Sequence, residues 1–261
     1  MGVKTMKILV LSDIHANIQA FRGVMEREKE YDILCFAGDM VDYGTEPSQV
    51  IESLRSAPRA LLVQGNHDLH AVNVWQEEDF RNMPVKKYKW IHYNLERMSG
   101  EQVDYLKNLP LHRYFEADGW VYLIQHQYKS GSYDVIENRS QFDRYWKEHM
   151  PKAYWDAPNR RMIFGHSHRQ CIHVLGEGME WLNPGSVSYR RPDDPDKTAH
   201  YMVIEGGAIT MRQIPYDRRP LYEEALCQLK GGRMMDTEIQ DFMFFFGNAV
   251  SSREELPVIG K

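Results

Sequence analysis

The first 65 residues alternate between short apolar runs and amphipathic segments, and this alternation constrains the fold more than any other feature. Apolar runs of strand length occur at residues 7–11, 33–37 and 60–64. Between them, apolar residues recur at helical spacing, and Pro47 stands near the start of the second helical segment. The order strand, helix, strand, helix, strand predicts βαβ units whose strands are parallel.

Further strands are predicted in the rest of the chain. Residues 121–125 form another strand-like run, and Asp118 followed by Gly119 just before it is a hairpin turn signal. We predict an α/β fold in which a two-sheet β-sandwich is flanked by helices. One domain would span residues 1–230, and residues 231–261 would pack on it as a C-terminal appendage.

The middle of the chain is predicted to be helical. Apolar residues recur at helical spacing over residues 88–98, and Ser99 with Gln102 forms a capping box that would open the next helix. An aromatic stripe precedes and overlaps this region, formed by Trp75, Phe80, Tyr88 and Trp90. These rings would either pack in the core or wall a pocket for a base or aryl group, and packing is the favoured interpretation.

Charge balance and cysteine usage exclude several classes of protein. The chain has 32 Lys and Arg residues against 37 Asp and Glu residues, a formal net charge of −5, so it lacks the broad basic surface of a nucleic-acid-binding protein. Its three cysteines fit neither a disulfide framework nor a thiolate zinc site. Because we find no signal-peptide pattern and no apolar stretch long enough to span a bilayer, we expect a cytoplasmic protein without a membrane or nucleic-acid partner. The oligomeric state stays open.

Polar side chains follow the strand-like runs at the points where those runs end. They are carboxylates, one amide and imidazoles in five short segments: Asp13, His15, Asp39, Asn66, His126, His166 and His168. Because ligands of open α/β sheets bind beyond the carboxyl ends of the strands, we expect these segments to converge on one crevice. Gly38, Gly65 and Gly165 precede three of them and would allow tight turns and close backbone approach.

The residue types in this set favour metal binding. Mixed imidazole and carboxylate ligands suit Mn, Fe or Zn better than Ca or Mg. Seven ligands are too many for one tetrahedral ion, but they fit two ions about 3.5–4 Å apart that share a carboxylate, an arrangement that clamps a phosphoryl group and activates water. Any one of these residues alone is more often a loop or capping residue, so the prediction depends on the whole set.

In their order, the five segments resemble the motifs of the calcineurin-like metallophosphoesterase superfamily: Asp-x-His, Gly-Asp, Gly-Asn-His-Asp/Glu, a lone His and Gly-His-x-His. The resemblance implies a four-layer αββα fold and two divalent transition-metal ions (Mn, Fe, Zn or Ni, with Mn favoured). The ligands of one ion would be Asp13, His15 and His168. Those of the other would be Asn66, His126 and His166, with Asp39 shared between the two ions.

The same resemblance implies roles for residues that do not bind metal. His67 would contact the phosphate and protonate or stabilise the leaving oxygen, and Asp42 would orient His67. Asn17 and the segment 183–186 (Asn-Pro-Gly-Ser) are similar to the small bacterial and archaeal phosphodiesterase-type branch of the superfamily. They would line or brace the site, and for segment 183–186 a plain turn is an equal alternative.

Three positions depart from the usual pattern of the superfamily. Ala16 and Gln127 stand where glycine is usual, and Tyr43 stands where Ser/Thr protein phosphatases carry an arginine that grips the phosphate. Loss of that guanidinium removes a bidentate phosphate contact, which disfavours a protein phosphatase.

The resemblance therefore implies a dinuclear metal-dependent phosphoesterase, a hydrolase in which a hydroxide that bridges the metals attacks phosphorus. The expected substrate is a small phosphodiester or a nucleotide-type phosphate. Two other activities stay open, dinucleoside-polyphosphate hydrolysis and phosphomonoester or phosphoprotein hydrolysis. The alternative from another class of function is a non-catalytic scaffold of the same fold. A retromer subunit is an example of such a scaffold, but it lacks the catalytic histidine, which in this chain would be His67.

Overall fold

Ten strands form two five-stranded sheets within residues 5–188 and 197–246, the part of the chain that the computed structural model describes. The strands of the first sheet, from edge to edge, are β10 (Ala208–Ile214), β9 (Ala199–Glu205), β1 (Lys7–Leu11), β2 (Ile33–Phe36) and β3 (Ala60–Leu62). Those of the second sheet are β4 (His112–Ala117), β5 (Trp120–Gln125), β6 (Arg160–Ile163), β8 (Met179–Pro184) and β7 (Gln170–Gly176). Both sheets are mixed, because each contains parallel and antiparallel pairs.

Eight α-helices flank the sheets within the same described ranges. They are α1 (Ile18–Arg27), α2 (Pro47–Arg55), α3 (Asn66–Trp75), α4 (Trp90–Leu95), α5 (Gly100–Lys107), α6 (Arg139–His149), α7 (Arg219–Gly231) and α8 (Asp236–Phe246). No helix in this part of the chain is long and apolar enough to cross a bilayer. The predicted α/β sandwich flanked by helices is confirmed.

The βαβ order predicted for the N-terminal region is confirmed as well. β1 pairs in parallel with β2, and β2 pairs in parallel with β3, so Val10 lies opposite Cys35 and Cys35 opposite Leu61. α1 begins where it does because the Asn17 side chain accepts a hydrogen bond from Ala20 N at 3.0 Å and caps the first turn. The carboxyl ends of the three strands therefore lie at one edge of the sheet.

The two sheets pack face to face over an apolar layer. Fully buried side chains from both sheets meet there, among them Val10, Cys35, Ile124, Ile163 and Met202. The outer face of the first sheet packs against α1 and α2, and the outer face of the second packs against α6. Helix, sheet, sheet and helix follow one another through the molecule in four layers.

Two local sequence patterns in the middle of the chain, a hairpin turn and a helix capping box, adopt the predicted structures. Asp118 and Gly119 both adopt a positive φ in the turn between β4 and β5. At the start of α5, Ser99 Oγ accepts a hydrogen bond from Gln102 N, and Gln102 Oε1 accepts one from Ser99 N. The hairpin and the capping box are therefore both confirmed.

The helix predicted over residues 88–98 is wrong in extent. Tyr88 and Lys89 are extended, and α4 covers only six residues. The carbonyl oxygen of Tyr88 accepts a hydrogen bond from Met235 N at 3.0 Å, so a distant segment replaces the helical partner of this carbonyl. Tertiary pairing has overridden the local apolar spacing.

The aromatic stripe divides between two clusters. Trp75 and Phe80 pack in the core that covers the first sheet, whereas Tyr88 and Trp90 pack with α7 and α8. This outcome agrees with packing as the favoured interpretation, although Trp90 also lines a cavity together with Tyr43.

α7 and α8 form a helical pair beside the sandwich. The ring of Phe242 on α8 stacks on Trp90 with centroids 4.3 Å apart, and Trp90 Nε1 donates a hydrogen bond to Glu238 O at 3.1 Å. Of the appendage predicted over residues 231–261, residues 247–261 lie outside the described residues. The division of the chain into a domain and an appendage therefore stays a prediction.

Candidate metal centre and active site

The seven predicted ligands lie at one end of the sandwich, beyond the carboxyl ends of five strands. They follow β1, β2, β3, β5 and β6 in turn: Asp13 and His15, Asp39, Asn66, His126, and His166 with His168. Because the two sheets face each other, the loops of both reach the same crevice. The structure brings all of these side chains together.

The first predicted group of ligands is compact. His168 Nε2 lies 3.1 Å from Asp13 Oδ1, and His15 Nε2 lies 3.8 Å from the same oxygen. The Nε2 atoms of the two imidazoles are 3.4 Å apart. One carboxylate oxygen and two ring nitrogens therefore surround a common point.

The second predicted group is organised around Asn66. Its Oδ1 lies 2.8 Å from His126 Nε2 and 2.9 Å from His166 Nδ1. Asp39 stands between the two groups, because its Oδ2 is 3.2 Å from His126 Nε2 and 3.8 Å from His15 Nε2. This position suits a carboxylate shared between two ions.

Two buried carboxylate oxygens of the cluster lack a hydrogen bond. Asp13 Oδ1 and Asp39 Oδ2 have no partner of suitable geometry among the described residues. Since a buried carboxylate needs positive charge nearby, and since imidazole and carboxylate donors suit transition metals, the cluster fits bound cations. Among the described residues, two sets of three side chains have ligand atoms that all lie within 4.8 Å of one another. One set is Asp13, His15 and His168, and the other is Asp13, Asp39 and His126. These sets share Asp13, whereas the family resemblance gives the shared position to Asp39.

Backbone carbonyl groups orient two of the imidazoles. His15 Nδ1 lies 3.1 Å from Val41 O, and His126 Nδ1 lies 2.7 Å from Ala37 O. In each ring the Nδ1–H group donates to the carbonyl, and this contact turns Nε2 toward the cluster. Burial lowers the pKa of His15 to about 4, which keeps this ring neutral and able to bind a cation at pH 7.

His67 lies at the edge of the cluster with its side chain 20% exposed. Its Nδ1 is 2.8 Å from Asp42 Oδ2, and its backbone N donates to Asp39 Oδ1 at 2.8 Å. Burial disfavours a charge on this ring, but Asp39 and Asp42 outweigh burial and raise the pKa of His67 to about 9. In the described part of the chain, neither donor set that could hold a cation includes His67.

The backbone of the site is strained. Among the described residues, ten non-glycine residues have a positive φ, and eight of them belong to the site loops: Asp13, His15, Ala16, Asp39, Asp42, Tyr43, His166 and His168. Such conformations cost about 1–3 kcal/mol each and persist only where the surrounding structure holds them in place. The strain is therefore concentrated in the loops that orient the side chains of the site.

Two glycines let the loops approach the ligands closely. A Cβ atom on Gly65 would collide with the carboxylate and the backbone nitrogen of Asp39. A Cβ atom on Gly165 would collide with Ser12 Oγ and come within 2.7 Å of Asp13 Oδ2. A larger residue at either position would displace a predicted ligand.

Sequence reasoning missed Asp68, which shapes the loop that carries Asp39. Asp68 is fully buried and accepts hydrogen bonds from Gly65 N at 2.9 Å, Asp39 N at 3.0 Å and Met40 N at 2.8 Å. Burial and the charge of Asp39 raise the pKa of Asp68 to about 6. The only signal in the sequence was its place after His67 in the Gly-Asn-His-Asp segment.

Asn94 on α4 was missed as well. It is fully buried, its Oδ1 accepts a hydrogen bond from Asp42 N at 3.0 Å, and its Nδ2 donates to Gly44 O at 2.8 Å. Asn94 therefore holds the turn that carries Asp42 and Tyr43. No local pattern could have revealed this contact, because the two segments are far apart in the chain.

Both asparagine segments singled out by the resemblance brace the site. Asn183 Nδ2 donates to Gly165 O at 2.6 Å, and Ser186 Oγ donates to Asp13 O at 2.9 Å. Asn17 caps α1 directly after the first site loop. These contacts support the loops from behind, so segment 183–186 is more than a plain turn.

A comparison with known protein families agrees with this geometry. Residues 6–206 match the calcineurin-like phosphoesterase superfamily domain, and this range includes every predicted ligand. The chain belongs to the calcineurin-like phosphoesterase superfamily, as its motifs predicted.

Individual relatives extend the comparison. An uncharacterized protein of Methanocaldococcus jannaschii is 27% identical over 242 residues, which cover 85% of this chain and 92% of that protein. A symmetrical bis(5'-nucleosyl)-tetraphosphatase of Pseudomonas putida is 30% identical over 119 residues, 44% of this chain and 40% of that enzyme. The crystal structure of a metallophosphoesterase from Sphaerobacter thermophilus is 21% identical, with a TM-score of 0.68 over 92% of this chain and 99% of that one. At this identity the structural similarity shows the shared fold alone.

Proposed function

We propose that this chain is a dinuclear metal-dependent phosphoesterase that hydrolyses phosphodiester or nucleotide-type phosphate substrates. The observation that carries the proposal is a pair of buried carboxylate oxygens, Asp13 Oδ1 and Asp39 Oδ2, without hydrogen bonds in a cluster of imidazoles. Membership of the calcineurin-like phosphoesterase superfamily supports the same chemistry.

Each metal ion would have its own ligands and one that is shared. The residues that would hold the ions are Asp13, His15 and His168 for the first, Asn66, His126 and His166 for the second, and Asp39 for both. Bound transition-metal ions polarise phosphoryl oxygens and lower the pKa of water. We favour Mn²⁺, since it accepts carboxylate and amide oxygens together with imidazole nitrogens.

His67 would act on the leaving group. Its Nδ1 is 2.8 Å from Asp42 Oδ2, and donation of the Nδ1–H group to that carboxylate makes Nε2 the nitrogen that carries the transferable proton. When the bond between phosphorus and the leaving oxygen breaks, Nε2 would give its proton to that oxygen. Asp42 is a positioning residue, because it acts through the imidazole ring.

Tyr43 supports a diester as the substrate. Its ring centroid lies 5.1 Å from that of His15 and 4.8 Å from that of His67. A phenol at this position supplies no guanidinium to match the second negative charge of a phosphomonoester. We therefore rank phosphodiesters above monoesters and phosphoproteins.

A dinucleoside-polyphosphate hydrolase is the second candidate. The observation that favours it is the 30% identity to the symmetrical bis(5'-nucleosyl)-tetraphosphatase of Pseudomonas putida over 119 residues. Diadenosine tetraphosphate belongs in the substrate panel for this reason.

The test combines metal content with a substrate panel. After reconstitution with Mn²⁺, elemental analysis should find two ions per chain, and bis(4-nitrophenyl) phosphate should be cleaved at least as fast as 4-nitrophenyl phosphate. Because imidazole binds metal in its neutral form, metal retention should decline below about pH 6. One ion or none would contradict the dinuclear site, absence of all turnover would favour the scaffold, and a clear preference for diadenosine tetraphosphate would favour the second candidate.

A further inference from the structure

The imidazole rings of the predicted ligands differ in what orients them. His15 and His126 each donate an Nδ1–H group to a backbone carbonyl, at 3.1 Å and 2.7 Å. His166 instead places Nδ1 2.9 Å from Asn66 Oδ1, and its buried Nε2 has no hydrogen-bond partner among the described residues. In most metal sites a hydrogen bond to the second ring nitrogen fixes the orientation of a histidine ligand. The orientation of His166 therefore depends on a different kind of contact.

Tyr133 supplies that contact as an aromatic stack. Its ring lies nearly parallel to the imidazole of His166, with centroids 4.7 Å apart and planes 15° apart. A parallel stack restricts rotation about the Cβ–Cγ bond of His166, a torsion whose own preferences are broad and roughly two-fold. The stack sets the plane of the imidazole, and the contact with Asn66 Oδ1 determines which edge of the ring faces the second predicted group of ligands.

The loop that carries Tyr133 is anchored on both sides of this residue. Tyr128 and Ile136 pack in the apolar cluster on the outer face of the second sheet. Next to Tyr133, Asp134 N donates a hydrogen bond to Ser132 Oγ at 3.0 Å. Tyr133 itself is 67% exposed. Replacing its side chain should therefore leave the core intact, so the role of the ring can be tested separately from the stability of the fold.

We propose that Tyr133 is a positioning residue that holds the imidazole of His166 in the orientation required to bind the second metal ion. An aromatic face does for His166 what backbone carbonyl groups do for His15 and His126. This inference rests on the proposed function, because it takes His166 to be a metal ligand. The Tyr133 hydroxyl group has no part in it, so a phenylalanine should position His166 equally well.

Two substitutions at Tyr133 test the role of its ring. Tyr133→Leu removes the ring but keeps an apolar side chain, whereas Tyr133→Phe keeps the ring. Isothermal titration of the metal-free proteins with Mn²⁺ should resolve two binding steps in the wild-type protein. In Tyr133→Leu one step should weaken by about 3- to 10-fold, the effect expected from losing one aromatic pair, and Tyr133→Phe should keep the wild-type affinity. Wild-type affinities in Tyr133→Leu, or equal losses in both variants, would overturn the inference.

Tyr114→Leu is the matched control. Tyr114 is also exposed, and among the described residues its ring contacts Tyr154, with centroids 5.7 Å apart, and no predicted ligand. Both Mn²⁺ binding steps should therefore match the wild-type protein, as should the Tm of the metal-free variant. If Tyr114→Leu weakens Mn²⁺ binding as much as Tyr133→Leu does, the effect does not come from the stack on His166, and the inference is wrong.

His166→Ala separates failure of this inference from failure of the proposed function. This variant removes a predicted ligand, so it should lose the same Mn²⁺ step that Tyr133→Leu weakens. Loss of a step in His166→Ala, combined with wild-type affinities or a different weakened step in Tyr133→Leu, would overturn the role of Tyr133 alone. Wild-type affinities in His166→Ala, or no Mn²⁺ binding by the wild-type protein, would overturn the proposed metal site and this inference together.

Discussion

The two ends of strand β1 bury carboxylates in opposite circumstances. At the amino end, Lys7 Nζ donates to Glu28 Oε2 at 2.7 Å, and Tyr201 OH donates to Glu28 Oε1 at 2.9 Å, so both oxygens are satisfied. At the carboxyl end, Asp13 and Asp39 are buried just as deeply, but each keeps one oxygen without a hydrogen bond among the described residues.

This difference separates burial that stabilises the fold from burial that prepares a binding site. A carboxylate that stabilises the fold is buried together with its donors, because a lone buried charge is costly. The carboxylates at the carboxyl end instead leave room for a cation to satisfy them. Backbone strain marks the same end, since Asp13 and Asp39 have a positive φ and Lys7 and Glu28 do not.

The largest effect is expected from removing a charge at the carboxyl end. Asp39→Asn keeps the side-chain shape but loses the negative charge that lies near imidazoles of both predicted groups. We expect kcat/KM for bis(4-nitrophenyl) phosphate to fall by about 10³-fold or more, and the rise in Tm that Mn²⁺ gives the wild-type protein to disappear. A variant that retains two Mn²⁺ ions and full activity would remove Asp39 from the shared position and favour Asp13 there.

The next prediction concerns a change that should lower kcat while both metal ions stay bound. His67→Ala should lower kcat by about 10²–10⁴-fold, the usual contribution of general acid assistance, while elemental analysis still finds both ions. The loss should be smaller for a nitrophenyl leaving group, which needs less protonation, than for an alkyl or nucleoside leaving group. Asp42→Asn should show the same pattern more weakly. If His67→Ala loses a metal ion, His67 is a ligand, and if kcat does not change, the general-acid role is wrong.

A smaller effect should follow from a change at Asp68, which hydrogen-bonds to the backbone of the loop that carries Asp39. Asp68→Asn turns one acceptor oxygen into a donor that faces backbone N–H groups, so the loop carrying Asp39 should shift. We expect metal affinity or kcat/KM to fall by about 10- to 100-fold, as is typical for residues that orient metal ligands. Asp104→Asn, an exposed change on α5, is the charge-matched control. Equal metal affinity in the two variants would show that the Asp68 contacts do not position Asp39.

The smallest effect on activity is expected at the amino end of β1. Burial opposes the charge of Glu28, but the hydrogen bonds from Lys7 and Tyr201 outweigh it and lower the pKa of Glu28. Because the folded state has the lower pKa, this carboxylate stabilises the protein above its ordinary pKa of 4.5, and the stabilisation is lost as the pH falls through the lowered value.

Glu28→Gln should therefore lower the free energy of unfolding at pH 7 by about 1–3 kcal/mol and leave kcat unchanged. Urea denaturation of both proteins from pH 7 to pH 3.5 should show the difference shrinking below about pH 4.5. A difference that stays constant over this range would mean that the charge of Glu28 does not contribute.

Local patterns predicted much of this protein. β1 occupies the predicted residues, and the parallel order of β1, β2 and β3 follows from the alternation of apolar runs and helical segments. The seven predicted ligands were recognisable because each lies within a few residues of a strand end, where the direction of the chain and the spacing of the motif restrict its position. Their assignment to individual metal ions stays a prediction.

Other features depended on contacts between distant parts of the chain. The helix predicted over residues 88–98 shortened because Met235 takes the carbonyl of Tyr88. Asn94 could not be recognised as a support of the Asp42 turn until α4 was seen against that loop.

Local sequence specifies which chemical groups stand at the ends of the strands, because motif spacing and strand periodicity are local properties of the chain. The packing of distant elements decided which of these groups lack a hydrogen bond and which residues hold the loops in strained conformations. It also decided that α8 packs against Trp90 and lines a cavity together with Tyr43. The physical reason is that burial and hydrogen-bond satisfaction depend on every element packed around a group, and no local pattern encodes them.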